Sequence, residues 1–376
     1  NMRVVKAFVR KKYEIDKFAV ENNRMFDLAD SSQGTISFVF PTANAILYAT
    51  FVALAWFGGK EIIAGNMGVG DLVSFNMYAM MLLGSLIGLS MVLTMLMSAS
   101  PSVSRVKEVL TRDLSMTNHD KIEGLEPEDG SIDFDNVSFK YEDESDTYQL
   151  KDINLHIKSG EVIGILGPTG SAKSTLVQLI PRLYDISSGS LKVGGHDIKD
   201  YDLNTLRDNV SIVLQKNTLF SGTILENLKW GDSMASFEDV LAMAKIAQAD
   251  DFVSERNDGY ESELGQGGTG VSGGQKQRLT IARSLLTQPK ILILDNSTSA
   301  VDTKTERALL DGFNSLDKDM TQIIISQRLS SFESADRIVV MDKGTIADIG
   351  THDELYARNE MYKKTYDIQE KGGEDE

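Results

Sequence analysis

Cysteine is absent from this chain of 376 residues. Disulfide bonds and cysteine-ligated metal sites are therefore excluded, and the composition weakly favours a reducing, bacterial setting. Basic residues are also scarce relative to acidic ones, since 38 Lys and Arg stand against 55 Asp and Glu, for a formal net charge of −17. Nucleic acid is not an expected partner, because binding to a phosphate backbone requires a basic surface.

An apolar secretory signal is not expected either, because the N-terminal residues are polar and charged. The chain starts at Asn1, and residues 1–8 have the pattern of a helix interior. We therefore expect this sequence to be the later part of a longer protein.

Charged residues are missing from two long segments in the first third of the chain. Residues 31–59 and residues 72–104 contain no Asp, Glu, Lys or Arg. Each segment is long enough to cross about 30 Å of hydrocarbon as a helix, and a buried helix of a soluble protein rarely runs this far without a charged face. We predict two membrane-spanning helices, at about residues 35–58 and 71–99.

Positive charges flank these two segments asymmetrically. Several Lys and Arg precede the first segment, Arg105 and Lys107 follow the second, and the connection between them has Lys60 as its single cation. Cytoplasmic loops are the ones enriched in Lys and Arg. Both ends of this region are therefore expected on the cytoplasmic side of a multi-pass protein of the plasma membrane.

The residue composition changes between Thr111 and Gly130, where polar, turn-forming residues replace the apolar pattern. Beyond this point short apolar runs alternate with helical stretches, as in the buried strands of a largely parallel sheet. We predict a membrane region over residues 1–115, a linker over 116–130, an α/β domain over 131–368 and an acidic, disordered tail over 369–376.

A glycine-rich loop follows the apolar run from Val162 to Leu166 and precedes a helix. Successive backbone N–H groups in such a loop bind phosphate, a lysine meets the β- and γ-phosphates, and a hydroxyl ligates Mg²⁺. Ala172 departs from the pattern, because a glycine is expected before the lysine. Its methyl group disfavours positive φ, so we expect weakened phosphate binding. The predicted phosphate loop is Gly167, Pro168, Thr169, Gly170, Ser171, Ala172, Lys173, Ser174 and Thr175.

A second glycine cluster, Ser272, Gly273, Gly274 and Gln275, opens a helix with an apolar face. The N-terminus of this helix is a candidate anion site. Two adjacent glycines alone usually mark a turn. Their place between the phosphate loop and the apolar run that ends at Asp295 makes this cluster much more specific.

The order of these motifs resembles the nucleotide-binding domain of ATP-binding cassette (ABC) proteins, and the two apolar segments resemble the last two helices of an ABC exporter half-transporter. The resemblance implies a P-loop NTPase fold with ATP and Mg²⁺ as cofactors. Tyr141 would stack on adenine, and Ser272 to Gln275 would be the signature sequence. The residues that would hold Mg²⁺ are Ser174, Gln215 of the Q-loop and Asp295 of the Walker B strand, and the D-loop would be Ser299, Ala300, Val301 and Asp302.

Two positions that matter for hydrolysis depart from the family pattern. Asn296 stands where a glutamate normally polarises the attacking water, and an amide cannot accept a proton at neutral pH. Gln327 stands where the family has a histidine near the γ-phosphate, and it cannot carry the charge of an imidazolium. Gln266 also replaces a residue that is often acidic in exporters. We therefore expect this site to bind ATP and to hydrolyse it weakly or not at all.

Members of this family work as head-to-tail dimers, in which the signature sequence of one subunit meets the ATP of the other. An intact signature beside a degenerate site implies a heterodimer with a second half-transporter.

The alternatives are a membrane-anchored ATP-binding regulatory subunit without transport, and a homodimeric exporter with atypical catalysis. The exported substrate is a small molecule, a lipid or a peptide, and the sequence does not favour one of them. Membrane lipid is expected to surround the spans. Methionines in the second span could suit apolar substrates, although ordinary helix packing is the favoured explanation.

Overall fold

The computed structural model describes residues 2–112, 116–118, 121–141, 147–298, 301–316 and 319–373. The chain divides into two compact units, Asn1–Asp113 and Leu114–Glu376. The division falls within the segment where the sequence changes from apolar to polar.

The first unit is helical, and two of its helices contain stretches that are long and apolar enough to cross a membrane. These stretches are Pro41–Ile63 and Val69–Leu110. Few of their side chains are buried within the unit, unlike those of a soluble core helix. The second stretch continues beyond the predicted end at residue 99, and at 1.5 Å per residue it is roughly 60 Å long. The helices are α1 Met2–Ala7, α2 Lys11–Ser37, α3 Val39–Ile63 and α4 Val69–Leu110.

The second unit combines two larger β-sheets with helices. Its strands are β1 Ile132–Phe139, β2 Leu150–Ile157, β3 Val162–Leu166, β4 Ser188–Val193, β5 His196–Asp197, β6 Val210–Val213, β7 Gly222–Thr223, β8 Glu263–Leu264, β9 Ile291–Asp295, β10 Thr321–Ile325, β11 Arg337–Asp342 and β12 Thr345–Gly350. Its helices are α5 Lys173–Leu179, α6 Leu203–Asn209, α7 Ile224–Leu228, α8 Phe237–Ile246, α9 Asp250–Ser254, α10 Gly273–Leu285, α11 Thr303–Asn314, α12 His352–Arg358 and α13 Glu360–Gly373.

A six-stranded sheet forms the centre of this unit, in the order β12-β11-β3-β10-β9-β6. All neighbouring strands in it are parallel except β11 and β12. Alternate residues of a strand point to opposite faces, so Ile293 enters a core shared with strands β1, β2 and β4, whereas Leu292 and Leu294 enter a core shared with helices α8 and α10. The central strands are therefore buried on both faces, which explains their uninterrupted apolar sequences.

A four-stranded antiparallel sheet, in the order β2-β1-β4-β5, covers one face of the central sheet. The other face is covered by helices, among which α10 packs against α7 and α8. These two layers hold the central strands in place, so that the loops at their carboxyl ends have a defined geometry.

The C-terminal segment differs from the prediction of a disordered tail over residues 369–376. Helix α13 continues to Gly373, while residues 374–376 lie outside the described part of the chain. Tyr362 of this helix is fully buried, and the Tyr356 hydroxyl donates a hydrogen bond to Asp367 at 3.0 Å. Acidic composition suggested disorder, but residues 369–373 belong to this helix, and the side chain of Gln369 is hydrogen-bonded to the loop after β10.

Candidate nucleotide-binding site

Three neighbouring parallel strands bring the predicted site residues to one edge of the sheet. Ile325, the last residue of β10, pairs with Ile165 of β3 on one side and with Asp295 of β9 on the other. The phosphate loop follows β3, and Gln327 follows β10. The carboxyl edge of a parallel sheet at this point is where α/β proteins bind their ligands.

The phosphate loop makes a tight turn between β3 and α5. A Cβ on Gly167 would lie 2.3 Å from the Met341 carbonyl oxygen, so only glycine fits there. The Nζ of Lys173 donates hydrogen bonds to the carbonyl oxygens of Gly167 at 2.7 Å and Pro168 at 3.0 Å. Burial lowers the pKa of Lys173, and the nearby charge of Asp295 opposes that shift. The lysine is thus held above the loop, where a phosphate would receive its charge.

Ala172 takes the left-handed conformation that its position demands. Its φ is +69° and its ψ is +24°, immediately before the first residue of α5. The expected strain is therefore present, because a Cβ in this conformation costs about 1 kcal/mol relative to glycine.

Ser174 and Asp295 form the geometric centre of the site. The Ser174 hydroxyl donates to Oδ1 of Asp295 at 3.0 Å, and Asp295 is 1% exposed. Burial raises the pKa of Asp295, whereas the Ser174 hydrogen bond and the Lys173 charge act to lower it. Because burial disfavours the charged form of this carboxyl group, a bound cation would stabilise the carboxylate.

The spacing of these two oxygens suits Mg²⁺. Octahedral Mg²⁺ has ligands at about 2.1 Å, which places adjacent ligand oxygens about 3 Å apart. The described residues contain no cluster of three or more His, Cys, Asp or Glu that could hold a metal by itself. A magnesium ion held by Ser174 and Asp295 would take its remaining ligands from nucleotide phosphates and water, which is its usual manner of binding.

Gln215 is the third predicted oxygen ligand for Mg²⁺, beside Ser174 and Asp295. It follows β6, whose residue Val213 pairs with Leu294 of β9, so it leaves the sheet at the same edge. Its side chain is exposed, and in the described residues it makes no direct hydrogen bond to Ser174 or Asp295. A role as third oxygen ligand stays a prediction.

Asn296 directly follows Asp295 and also has a left-handed backbone, with φ at +49°. Its N–H donates to the Ile325 carbonyl at 2.9 Å, and its side-chain amide nitrogen lies 3.4 Å from Oδ1 of Asp295. Asparagine tolerates this conformation better than most residues. The turn therefore places an amide, which has no basic oxygen, beside the Asp295 carboxylate.

Gln327 lies on the loop after β10 with an exposed side chain. Its carbonyl oxygen accepts a hydrogen bond from Nε2 of Gln369 at 2.7 Å, and Oε1 of Gln369 accepts one from the Leu329 N–H at 2.9 Å. The sequence reasoning missed Gln369 because it assigned this residue to a disordered tail. The spacing of Tyr362, Tyr366 and Gln369 at i, i+4 and i+7 was the available signal for an ordered helix face.

Tyr141 lies beside the phosphate loop. Its hydroxyl is 3.1 Å from Oγ1 of Thr175. Its ring contacts Phe139 and Tyr184 edge to face, with centroid distances of 4.9 and 5.0 Å, and the residue is 51% exposed. The exposed part of this supported ring is available to stack on an adenine.

The predicted signature sequence forms the start of α10, with Ser272 as its N-cap. Oγ of Ser272 accepts from the Gln275 N–H at 3.3 Å, and Oε1 of Gln275 accepts from the Ser272 N–H at 2.9 Å. This capping box leaves the first-turn amides of Gly273 and Gly274 without intrahelical acceptors. In the described part of the chain, no hydrogen bond joins residues 272–275 to the phosphate loop of residues 167–175.

The predicted D-loop is described in part. Ser299 and Ala300 lie outside the described residues. Val301 is buried, and Asp302 caps helix α11 by accepting from the Thr305 N–H at 3.0 Å.

Two family models match the sequence. The ABC transporter model matches residues 150–299, and the model of the ABC transporter transmembrane region matches residues 1–86. The first match contains the phosphate loop, the capped start of α10 and Asp295.

Curated relatives extend the similarity to nearly the whole chain. YknU of Bacillus subtilis (strain 168), an uncharacterized ABC transporter ATP-binding protein, is 38% identical over 368 residues, which are 98% of this chain and 63% of YknU. A putative multidrug export ATP-binding/permease protein of Staphylococcus aureus (strain NCTC 8325 / PS 47) is 38% identical over 366 residues, which are 97% of this chain and 63% of that protein.

A solved structure of a bacterial Atm1-family ABC exporter with ATP bound has the same fold. The TM-score is 0.87 at 30% sequence identity, and the match covers 98% of this chain and 65% of the exporter chain. The chain thus spans a little under two-thirds of the length of these relatives.

Proposed function

The chain belongs to the ABC transporters, and we propose that it is the ATP-binding and permease subunit of an exporter whose own nucleotide site holds Mg-ATP but hydrolyses it poorly. The observation that carries this proposal is the contact between Ser174 and Asp295, which we interpret together with the amide side chains at positions 296 and 327. Ser174 and Asp295 lie at magnesium-ligand spacing, while Asn296 and Gln327 take the places of the base and the imidazole.

The roles of the binding residues follow from their chemistry. Lys173 supplies a positive charge to the β- and γ-phosphates, and the amides of the phosphate loop donate to their oxygens. Ser174 and Asp295 would hold Mg²⁺, which when bound neutralises phosphate charge and orients the nucleotide. Tyr141 would cover the adenine, and Gln215 would contribute a carbonyl oxygen near the metal.

Hydrolysis requires a group that accepts a proton from the attacking water. The amide of Asn296 cannot do so, and a positioned general base contributes about 10²–10⁴ in rate. Gln327 can donate a hydrogen bond to a γ-phosphate oxygen but carries no charge. ATP therefore remains bound long enough to stabilise a closed dimer.

The intact start of α10 completes the proposal. The exposed Ser272 and the free amides of Gly273 and Gly274 would contact the γ-phosphate of ATP held by a second half-transporter. In that heterodimer the partner's site turns over, and closure drives alternating access of the membrane helices. The similarity to a putative multidrug export ATP-binding/permease protein supports a small molecule as cargo, with a lipid or a peptide as the alternatives. Export would be across the plasma membrane, with the ATP-binding domain in the cytoplasm.

The test is the assembled pair in lipid vesicles, with a partner that carries glutamate and histidine at the positions of Asn296 and Gln327. Lys173→Ala should preserve much of the ATPase activity, whereas the matching lysine substitution in the partner should abolish ATPase and transport. Equal losses from the two variants would instead support an exporter with two working sites. ATP binding without any transport would support a regulatory subunit.

A further inference from the structure

A single side chain from the C-terminal helix holds the loop that follows β10. The amide of Gln369 donates to the Gln327 carbonyl at 2.7 Å and accepts from the Leu329 N–H at 2.9 Å. These two backbone groups flank Arg328, so one amide fixes both sides of that residue. Such a two-point contact restricts the position of the loop more than either hydrogen bond alone.

The rest of this loop is held from the protein interior. Glu306 of α11 is 2% exposed and accepts hydrogen bonds from the hydroxyls of Thr298 at 2.7 Å and Ser331 at 2.6 Å. Arg328 donates to the same carboxylate at 3.2 Å. In the described residues, the hydrogen bond from Gln369 is the one that ties Gln327 itself to another element. The position of Gln327 therefore depends on α13.

The part of helix α13 that precedes Gln369 is held by aromatic side chains. Tyr362 is 1% exposed and its hydroxyl lies 2.9 Å from Nδ1 of His352. Tyr366 packs against the rings of His352 and Tyr356. Because Tyr362, Tyr366 and Gln369 lie on one helix face, the packing of the two tyrosines determines where Gln369 reaches the loop.

The loop that carries Gln327 lies next to the groups that would bind the nucleotide. Strand β10 lies between β3, which leads into the phosphate loop, and β9, which ends at Asp295. The exposed Gln327 side chain therefore leaves the sheet between the groups that would bind the phosphates and the groups that would hold Mg²⁺. A side chain there is placed to contact the terminal phosphate of a nucleoside triphosphate.

We infer that Gln369 is a positioning residue for Gln327, through which the C-terminal helix sets the discrimination between ATP and ADP. This inference rests on the proposed function of the site as a nucleotide-binding site. ADP lacks the γ-phosphate, so a misplaced Gln327 weakens the binding of ATP alone.

The experiment compares equilibrium binding of Mg-ATP and Mg-ADP to the full chain in detergent micelles. Gln369→Ala should weaken ATP binding about two- to tenfold, the range for one or two hydrogen bonds, with ADP binding unchanged. Gln327→Ala should have the same selective effect. Ile368→Ala, at an exposed neighbouring position on α13, is the matched control and should change neither affinity.

A double variant separates positioning from general damage. If Gln369 acts through Gln327, the Gln327→Ala/Gln369→Ala chain should bind ATP no more weakly than Gln327→Ala alone. Gln369→Glu, which keeps the acceptor for Leu329 but loses the donor to Gln327, should weaken ATP binding at least as much as Gln369→Ala.

Three outcomes would overturn the inference while leaving the proposed function in place. They are equal losses of ATP and ADP binding in Gln369→Ala, unchanged ATP binding in that variant, and additive losses in the double variant. A wild-type chain that binds no Mg-ATP would overturn the proposed function and the inference together.

Discussion

The Ser174 hydroxyl donates a 3.0 Å hydrogen bond to Oδ1 of Asp295, although the two residues are 121 positions apart in the chain. The helix that follows the phosphate loop and the strand that ends at Asp295 thereby converge on one point. Asn296, the residue after that strand, has a left-handed conformation, and its side-chain amide nitrogen lies 3.4 Å from Oδ1 of Asp295. Under the proposed function, this amide replaces the general base, so that nucleotide binding is kept and hydrolysis is weakened.

Restoring the base should restore part of the hydrolytic activity. Asn296→Glu places a carboxylate beside Asp295. In an assembled pair whose partner carries the inactivating lysine substitution, we expect phosphate release to rise, by less than the full ~10²–10⁴ that a general base contributes. The gain is limited because glutamate at φ +49° costs about 1 kcal/mol and because Gln327 remains. Asn296→Gln has the same added length without a base and should not raise the rate. A similar increase in both variants would contradict the assignment.

Relieving the strain at Ala172 should stabilise the protein. Its φ of +69° favours glycine, so Ala172→Gly should raise the free energy of unfolding by about 0.5–1 kcal/mol and should not weaken Mg-ATP binding. Ala242→Gly, in the interior of helix α8, is the control and should instead destabilise by about 1 kcal/mol. Chemical denaturation of the purified chain measures both, and destabilisation by Ala172→Gly would disprove the strain.

Two capped helices allow the role of Ser272 to be separated from its structural effect. Ser272 and Ser236 both form capping boxes at helix starts, so each change to alanine should cost about 1 kcal/mol of stability. Only Ser272→Ala should also lower the kcat of the assembled pair, because hydrogen bonds to the developing phosphoryl charge act at the chemical step. Steady-state ATPase measurements with both variants decide this. Equal effects on kcat would show that the start of α10 is not part of the working site.

Acid should weaken one link between the N-terminal part of the second unit and α6. The side chain of Lys121, the Asn204 N–H and the side chain of Asn118 all donate to Asp202 and lower its pKa to about 2. Since a lowered carboxyl pKa means that the charged form is favoured in the folded state, this stabilisation is complete above the ordinary value of 3.8 and is lost as the pH falls through about 2.

The corresponding measurement is unfolding of wild type and Asp202→Asn as a function of pH. The variant should be less stable near neutral pH, and the difference should vanish between about pH 4 and pH 2. Asp208→Asn is the matched control, because it removes a carboxylate from the same helix without touching this network. A difference that persists at pH 2 would show that the Asp202 charge is not responsible.

Much of this architecture could be predicted from the sequence. The predicted fold class, an α-helical transmembrane segment followed by an α/β P-loop NTPase domain, is confirmed. Local patterns carried this information: uncharged residues in unbroken runs specify membrane helices, and a glycine-rich turn before Lys173 and Ser174 specifies a phosphate loop. These features can be predicted from the sequence because the residues that act together are adjacent in the chain.

Other features required the tertiary structure, because they join residues that are far apart. The pairing of β10 with both β3 and β9 brings Ser174 to Asp295, and no local pattern encodes that register. Residues 369–373 had the composition of a disordered tail, yet the packing of Tyr362 and Tyr366 extends α13 far enough for Gln369 to bind the loop of Gln327. Composition describes what a segment prefers in isolation, whereas the free energy of burial and hydrogen bonding in the folded chain decides whether it is ordered.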